Sequence, residues 1–245
     1  MAVYISADIH GDKNRIYNII TQLPRLSEKD TIIIAGDAGL EYGNYNMGAA
    51  KKAMNKMPCS WLIMRGNHDN CYYADHWQDD DWNINTTLYN APVIIQDKYP
   101  NIHYIMDEGG IYNVQGNKIL FLPGAYSIDK DYRLIKGWPY NPKEQLIDED
   151  FQNLYDDFME SDIVINYVIS HTCPLQLEPH IQYLFLDFID QSSVDKRTEK
   201  WLDKFYNQII QEKSFKHWYF GHFHDTKQIT DKVTMLYHKI KKLGE

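Results

Sequence analysis

Five short polar clusters are spread along the chain: Asp8-Ile9-His10-Gly11, Gly36-Asp37, Arg65-Gly66-Asn67-His68-Asp69, His171, and Gly221-His222-Phe223-His224. They offer carboxylate oxygen, amide oxygen and imidazole nitrogen, and none offers a thiolate. Such donors suit octahedral or five-coordinate manganese, iron, cobalt or zinc better than a closed tetrahedral structural zinc. One ion would not need seven protein ligands. Two divalent or trivalent ions sharing one carboxylate would use them all and leave places for water and substrate. Cations about 3.5–4 Å apart make bound water nucleophilic near neutral pH and polarise a phosphoryl group. The chemistry this donor set predicts is hydrolysis of a phosphate ester by a metal-bridging hydroxide, with no covalent enzyme intermediate.

Such scattered donors need elements that bring them to one place. Short runs rich in Ile and Val read as buried strands: Val3 to Ile5, Thr31 to Ala35, Trp61 to Met64, Ile119 to Leu122, Ile163 to Ser170 and His217 to Phe220. Every polar cluster follows one of these runs, and the carboxyl edge of an open α/β sheet is where ligands bind. Gly11, Gly36, Gly66 and Gly221 beside the donors allow close approach of the backbone to an ion or phosphate.

Helical spacing joins Ile16, Ile19, Ile20 and Leu23, ending at Pro24. It recurs in Met47, Ala50, Met54 and Met57 behind an Asn46 cap. Two further sets are Ile147, Phe151, Leu154, Tyr155 and Phe158, and Val194, Trp201, Leu202, Phe205 and Ile209. Alternating strands and helices predict an α/β fold. From Cys71 to about Pro142, turn residues separate short pieces such as Val93 to Ile95, Ile102 to Met106 and Ile111 to Val114. That pattern predicts hairpins and long loops within one domain spanning residues 1–245. Asp79-Asp80-Asp81 reads as a solvated loop, and the Lys239, Lys241 and Lys242 tail as a solvated end.

The 245 residues are 44% hydrophobic and 14% aromatic, enough for a packed core and too apolar for a disordered chain. With 25 Lys and Arg against 34 Asp and Glu, the net charge of -9 disfavours a long nucleic acid as partner. A small phosphorylated substrate stays open, because a metal supplies positive charge locally. Three cysteines without disulfide or zinc-ribbon spacing predict a reducing, cytoplasmic setting. Neither a signal peptide nor a membrane-spanning stretch is expected, and the oligomeric state is not encoded in any pattern seen here.

In this order, and over the stretch from Asp8 to His224, the five clusters resemble the signature of the calcineurin-like metallophosphoesterases. The resemblance implies a four-layer α/β/β/α sandwich of the metallo-dependent phosphatase type carrying two metal ions. It implies Asp8, His10 and His224 around the first ion, Asn67, His171 and His222 around the second, and Asp37 bridging them. His68 matches the family's motif histidine, which protonates the leaving oxygen, and imidazole has the pKa range for that task. The segment Gly124-Ala125-Tyr126-Ser127-Ile128-Asp129-Lys130 looks like a subgroup of bacterial and phage phosphoesterases with uncharacterised substrates.

One departure from the family stands out. Protein Ser/Thr phosphatases follow the second motif with an Asp and an Arg, which orient the acid and grip the phosphate. Here Asp37 is followed by Ala38-Gly39-Leu40-Glu41-Tyr42, so Leu40 stands at the orienting position and no Arg follows. This speaks against phosphoprotein substrates. Glu41 or Asp69 then becomes the candidate to hold His68. Arg65, with Asn67, becomes the candidate to bind phosphate, through its guanidinium fork. Lys130, Arg133 and Trp138 could close over a substrate.

The leading expectation is a phosphate mono- or diesterase. The alternative on the same fold is a nuclease or nucleotide phosphodiesterase, with Tyr72, Tyr73, Trp77, Trp82 and Trp138 as base-stacking candidates. A non-catalytic metal-binding scaffold is less favoured, since no ligand is lost. His76, His103, His180, His217 and His238 read as surface or packing residues.

Overall fold

Alternate residues of single strands serve two different cores, which is why these segments read as unbroken apolar runs. The computed structural model describes residues 1–23, 25–42, 48–181 and 194–245. Its first elements are β1 (Val3–Ser6), α1 (Lys13–Gln22), β2 (Thr31–Ala35), α2 (Gly48–Asn55), β3 (Ser60–Met64) and α3 (Tyr72–His76). The middle of the chain gives β4 (Trp82–Leu88), β5 (Ala91–Gln96), β6 (Ile102–Ile105), β7 (Gly110–Val114), β8 (Asn117–Leu122) and α4 (Lys130–Lys136). Then follow α5 (Asp148–Glu160), β9 (Tyr167–Ser170), α6 (Arg197–Ile209), β10 (His217–Phe220), β11 (Lys227–Thr230), β12 (Val233–Met235) and β13 (Lys241–Lys242).

The strands form a seven-stranded sheet of order β13-β1-β2-β3-β6-β5-β4 and a six-stranded sheet of order β11-β12-β10-β9-β8-β7. In β2 and β3, Ile32, Ile34, Trp61 and Ile63 pack with Ile16 and Ile19 of α1 and with Ala50 and Met54 of α2. Their neighbours Ile33, Ala35, Leu62 and Met64 face the other way, onto Ile119, Phe121, Ile169 and Tyr219 of the second sheet. On that sheet Leu120, Leu122, Val168, Trp218 and Phe220 turn outward against Phe151 of α5 and Trp201, Leu202 and Phe205 of α6. Helix, sheet, sheet and helix thus make the four-layer α/β/β/α sandwich. Each buried aliphatic or aromatic side chain contributes on the order of 1.5–3 kcal/mol.

Several boundaries differ from expectation. The run Ile163 to Ser170 begins its strand only at Tyr167, and Ile163 and Val164 are exposed. An apolar run by itself does not decide pairing: Lys216 N donates to Asn166 O, and only beyond that bond does β9 align with β10. The fourth helix starts at Arg197, after Val194. The second helix is observed from Gly48, and Asn46 and Met47 lie outside the described residues, as does Pro24. The middle segment contributes strands to both sheets, β6 beside β3 and β8 beside β9, and also holds the short helices α3 and α4. The lysine tail is not simply solvated: Lys241 and Lys242 pair with Ile5 and Tyr4 as an edge strand.

Burial in the second helical layer has a pH consequence. Glu199, in the first turn of α6, is 4% exposed, and burial pushes its carboxyl up from 4.5 to about 7. The folded state therefore holds this proton more tightly than the unfolded chain does. The stability it lends is complete below pH 4.5 and is lost as pH rises through about 7. The full shift corresponds to about 3 kcal/mol, of which somewhat under half falls between pH 6 and 8.5. Glu199→Gln should remove that component. The drop in Tm between these two pH values should shrink by about 3–6 °C in the variant, measured by calorimetry. An unchanged drop would show that Glu199 titrates normally.

Candidate active site

The loops after β1, β2 and β3 continue the sheet's bonding beyond the strand ends. Asp8 N donates to Gly36 O (3.1 Å), His10 N to Asp37 O (2.9 Å) and Gly11 N to Ala38 O (2.8 Å). Asp69 then ties the second loop to the third, its carboxylate accepting from Ala38 N (3.2 Å), Gly39 N (2.8 Å) and Gly66 N (2.8 Å). From the second sheet, His171 N donates to Leu122 O and Gly221 N to His171 O, which brings the fourth and fifth clusters to the same edge.

Close approach costs backbone strain. Asp8, His10, Asp37, His222 and His224 all have φ between 49° and 71°, a region that non-glycine residues adopt at a cost of about 1–3 kcal/mol each. Gly36, at φ 84°, lies so near His171 that a Cβ there would sit 2.1 Å from Nδ1.

Two groups of donor atoms result. In the first, Asp8, His10, Asp37 and His224 each present one atom within 4.8 Å of the others. Two ring nitrogens of this group, His10 Nε2 and His224 Nε2, face one another at 2.9 Å. The second group centres on Asn67 Oδ1, which lies 2.9 Å from His171 Nε2 and 3.0 Å from His222 Nδ1. Asp37 addresses both groups. Its Oδ2 is 3.8 Å from His10 Nε2, and its Oδ1 is 3.2 Å from His171 Nε2. All seven expected donors are brought together. Their orientations are fixed from behind: His171 Nδ1 lies 3.0 Å from Ala35 O, leaving Nε2 for the centre, and Asn67 Nδ2 donates to Ser127 Oγ (2.9 Å), which turns Oδ1 inward.

The electrostatics fit a cation. Burial pushes Asp8 up to about 8 and His10 down to about 4, and it also depresses His222 and His224, whereas at His171 burial is outweighed by the Asp37 and Asp8 carboxylates, which raise it to about 9. Burial opposes the charge on Asp37 too, but His171, His68 and His10 overcome it and hold that carboxyl well below its ordinary value. Neutral imidazole is the ligating form, and a buried carboxylate needs a positive partner. Hard oxygen and nitrogen atoms converging from five loops therefore suit a metal ion.

Arg65 is corrected by the structure. It is 3% exposed, and its guanidinium donates to the main-chain oxygens of Asp107 (3.0 Å), Lys143 (2.9 Å) and Glu144 (3.4 Å). It stitches the middle segment to β3 and offers no open fork to phosphate. Neither candidate for holding His68 does so. Asp69 is spent on three backbone N–H groups, and Glu41 pairs with Lys51. Leu40 is fully buried in the core. Beside His68 stand Arg133, with Nη1 3.5 Å from Nδ1, and the Tyr42 ring at 5.5 Å.

The family model described as calcineurin-like phosphoesterase matches residues 1–226. The chain belongs to that family. It is accordingly a metal-dependent phosphoester hydrolase. No curated protein matches it. One similar solved structure is the phosphopantetheinyl hydrolase of Mycobacterium tuberculosis, 11% identical with a TM-score of 0.46, covering 96% of this chain and 88% of that one. Another is a protein of unknown function from Aquifex aeolicus, 15% identical with a TM-score of 0.36, covering 69% and 77%. At this level of likeness neither bears on the substrate of this chain.

Two supporting residues had no signal in the sequence. Arg15 of α1 donates to Ala7 O (3.1 Å), Asp8 O and Tyr237 O (2.7 Å), fastening the first loop to the chain behind the fifth. Tyr237 in turn stacks on the His224 ring at 4.7 Å. Ser127, which orients Asn67, was visible only as part of a segment. Among the described residues no helix is long and apolar enough to cross a membrane.

Proposed function

We propose that this chain hydrolyses a small phosphate mono- or diester at a dinuclear centre held by Asp8, His10, Asp37, Asn67, His171, His222 and His224. The observation that carries the reading is the Asp37 carboxylate, whose two oxygens face two separate groups of donors, 3.8 Å from His10 and 3.2 Å from His171. Two bound manganese, iron, zinc or cobalt ions would supply a nucleophile from water and offset charge on the phosphoryl oxygens. The residues do the rest. His171 and Asn67 keep one face of the centre rigid through Ala35 O and Ser127, while Asn67 borders the space for a phosphoryl oxygen. His68, its main-chain N–H fixed on Asp37 Oδ1 at 2.7 Å, hands its proton to the departing oxygen. We take residues 1–245 as one catalytic domain acting in the cytoplasm, in keeping with three buried, unpaired cysteines.

Base stacking is less well supported. Tyr72 and Trp82 are buried in the core, which leaves Tyr73, Trp77 and Trp138 as exposed aromatic surfaces among the five candidates. Metal analysis after manganese loading should give two ions per chain, and well under two would sink the dinuclear reading. Side-by-side rates on p-nitrophenyl phosphate and bis(p-nitrophenyl) phosphate divide monoesterase from diesterase. Activity on neither, with metals bound, would favour a scaffold.

A further inference from the structure

We propose that Glu144 is the positioning residue that keeps the carbonyl oxygen of Asn67 turned toward its ion, acting through the hydroxyl of Ser127; this rests on the dinuclear reading of the site. Asn67 faces a choice that an aspartate does not. One end of its amide binds a cation and the other repels it, and the two ends have the same shape. Here Oδ1 lies 2.9 Å from His171 Nε2 and 3.0 Å from His222 Nδ1, while Nδ2 lies 2.9 Å from Ser127 Oγ. A half-turn of the amide would exchange them. Ser127 by itself would permit the exchange, since a hydroxyl both donates and accepts.

The groups around Ser127 remove that freedom. Its Oγ receives a second N–H, from Arg133 Nη1 at 3.1 Å. A guanidinium only donates, and two donors fill both lone pairs of a hydroxyl oxygen. The Ser127 hydrogen must then leave in a third direction, and Glu144 is there to take it. Glu144 is 2% exposed; its Oε1 accepts from Ser127 N (2.9 Å), and its Oε2 is buried without a bond of its own among the described residues. Burial raises this carboxyl, and hydrogen bonds from the hydroxyl and the N–H of Ser127 lower it. Ala125 N also donates to Glu144 O (3.3 Å), which docks the Ser127 segment on Glu144. With its hydrogen committed to the carboxyl group, Ser127 Oγ can only accept. An Asn67 turned the other way would set oxygen against oxygen. Its N–H end must face Ser127, so its carbonyl must face His171 and His222. Protonation of Glu144 does not alter this, because Oγ has no lone pair left to accept from it.

The orientation can be read without metal and without turnover. Neutron diffraction from deuterium-exchanged crystals of the metal-free wild type should place the Ser127 deuterium toward Glu144 and an Asn67 amide deuterium toward Ser127. A Ser127 deuterium pointing at Asn67 would overturn the proposal. Calorimetric titration of the metal-free chain with manganese gives the second test. Asn67→Ala identifies which of the two binding events belongs to its half of the centre. Glu144→Leu should weaken that same event about 10- to 100-fold and spare the other. An aspartate presents oxygen whichever way it turns, so in an Asn67→Asp background Glu144→Leu should add almost no loss. Equal weakening of both events, or the same loss in both backgrounds, would overturn the proposal and leave Glu144 a structural carboxylate only. Ser127→Ala should give the selective pattern too, and wild-type affinity at both events would break the chain of contacts at its middle. That variant and the neutron map decide the matter if the leucine variant does not fold. If the wild type binds a single ion, the dinuclear reading fails while the neutron map still decides what Glu144 does.

Discussion

Replacing Asp37 with asparagine should strip the centre of metal, whereas replacing His68 with alanine should keep the metal and lose turnover. The two side chains are close neighbours, so proximity to the site does not account for the difference. Asp37 sits 1% exposed with both oxygens in use: Oδ1 takes the His68 N–H and faces His171, and Oδ2 faces His10. Asparagine keeps one oxygen and puts N–H donors where the other was, so it can serve one group of donors and repels a cation from the other. It also removes the negative charge around which His171, His68 and His10 are arranged. Metal content by elemental analysis should fall well below two ions per chain, and kcat should drop by at least about 10²–10³-fold. His68 holds no position among the paired donors. His68→Ala should therefore cost about 10²–10⁴-fold in kcat, the usual worth of a positioned general acid, at full metal content. Equal metal loss in both variants would contradict the roles assigned to them.

A single methyl group at Gly66 should be comparably damaging. A Cβ on this residue would lie 2.2 Å from Asp37 Oδ1, 2.5 Å from Asp37 N and 2.6 Å from His171 Nε2. Two of those atoms are side-chain tips, but the third is backbone held in the strained loop after β2, and it cannot swing aside. Gly66→Ala must then push the third loop away from the second, against the bonds from Ala38 N and Gly39 N to the Asp69 carboxylate. Forcing atoms into a packed site costs on the order of 1–3 kcal/mol. The sheets lie behind the loops, so circular dichroism should report a folded protein while metal content and activity both collapse. A Gly66→Ala protein with wild-type metal and wild-type rate would refute this account of the centre's packing.

The strands were legible because burial on both faces of a sheet leaves a local trace: Thr31 to Ala35 and Ile119 to Leu122 are apolar at every step or nearly so. The donors were legible because each follows such a run. The edge strands at the end of the chain were not. Lys227–Thr230 and Lys241–Lys242 are mostly polar and none of them is buried, and only the bonds of a neighbouring strand make them part of a sheet. Arg65 misled for a related reason, since a cation beside a motif looks the same whether it faces phosphate or three main-chain carbonyls.

The sequence by itself determined the α/β class and which residues could offer oxygen or nitrogen donors, because apolar periodicity and residue chemistry are properties of short segments. Only the tertiary structure decided which oxygen of Asp37 faces which imidazole, that Asp69 clamps loops rather than His68, and that Arg133 stands beside His68, 65 residues away. Those are matters of where buried polar groups find partners. Burial makes every such group take whatever donor or acceptor the fold brings within reach, and nothing local to the residue records which one that is.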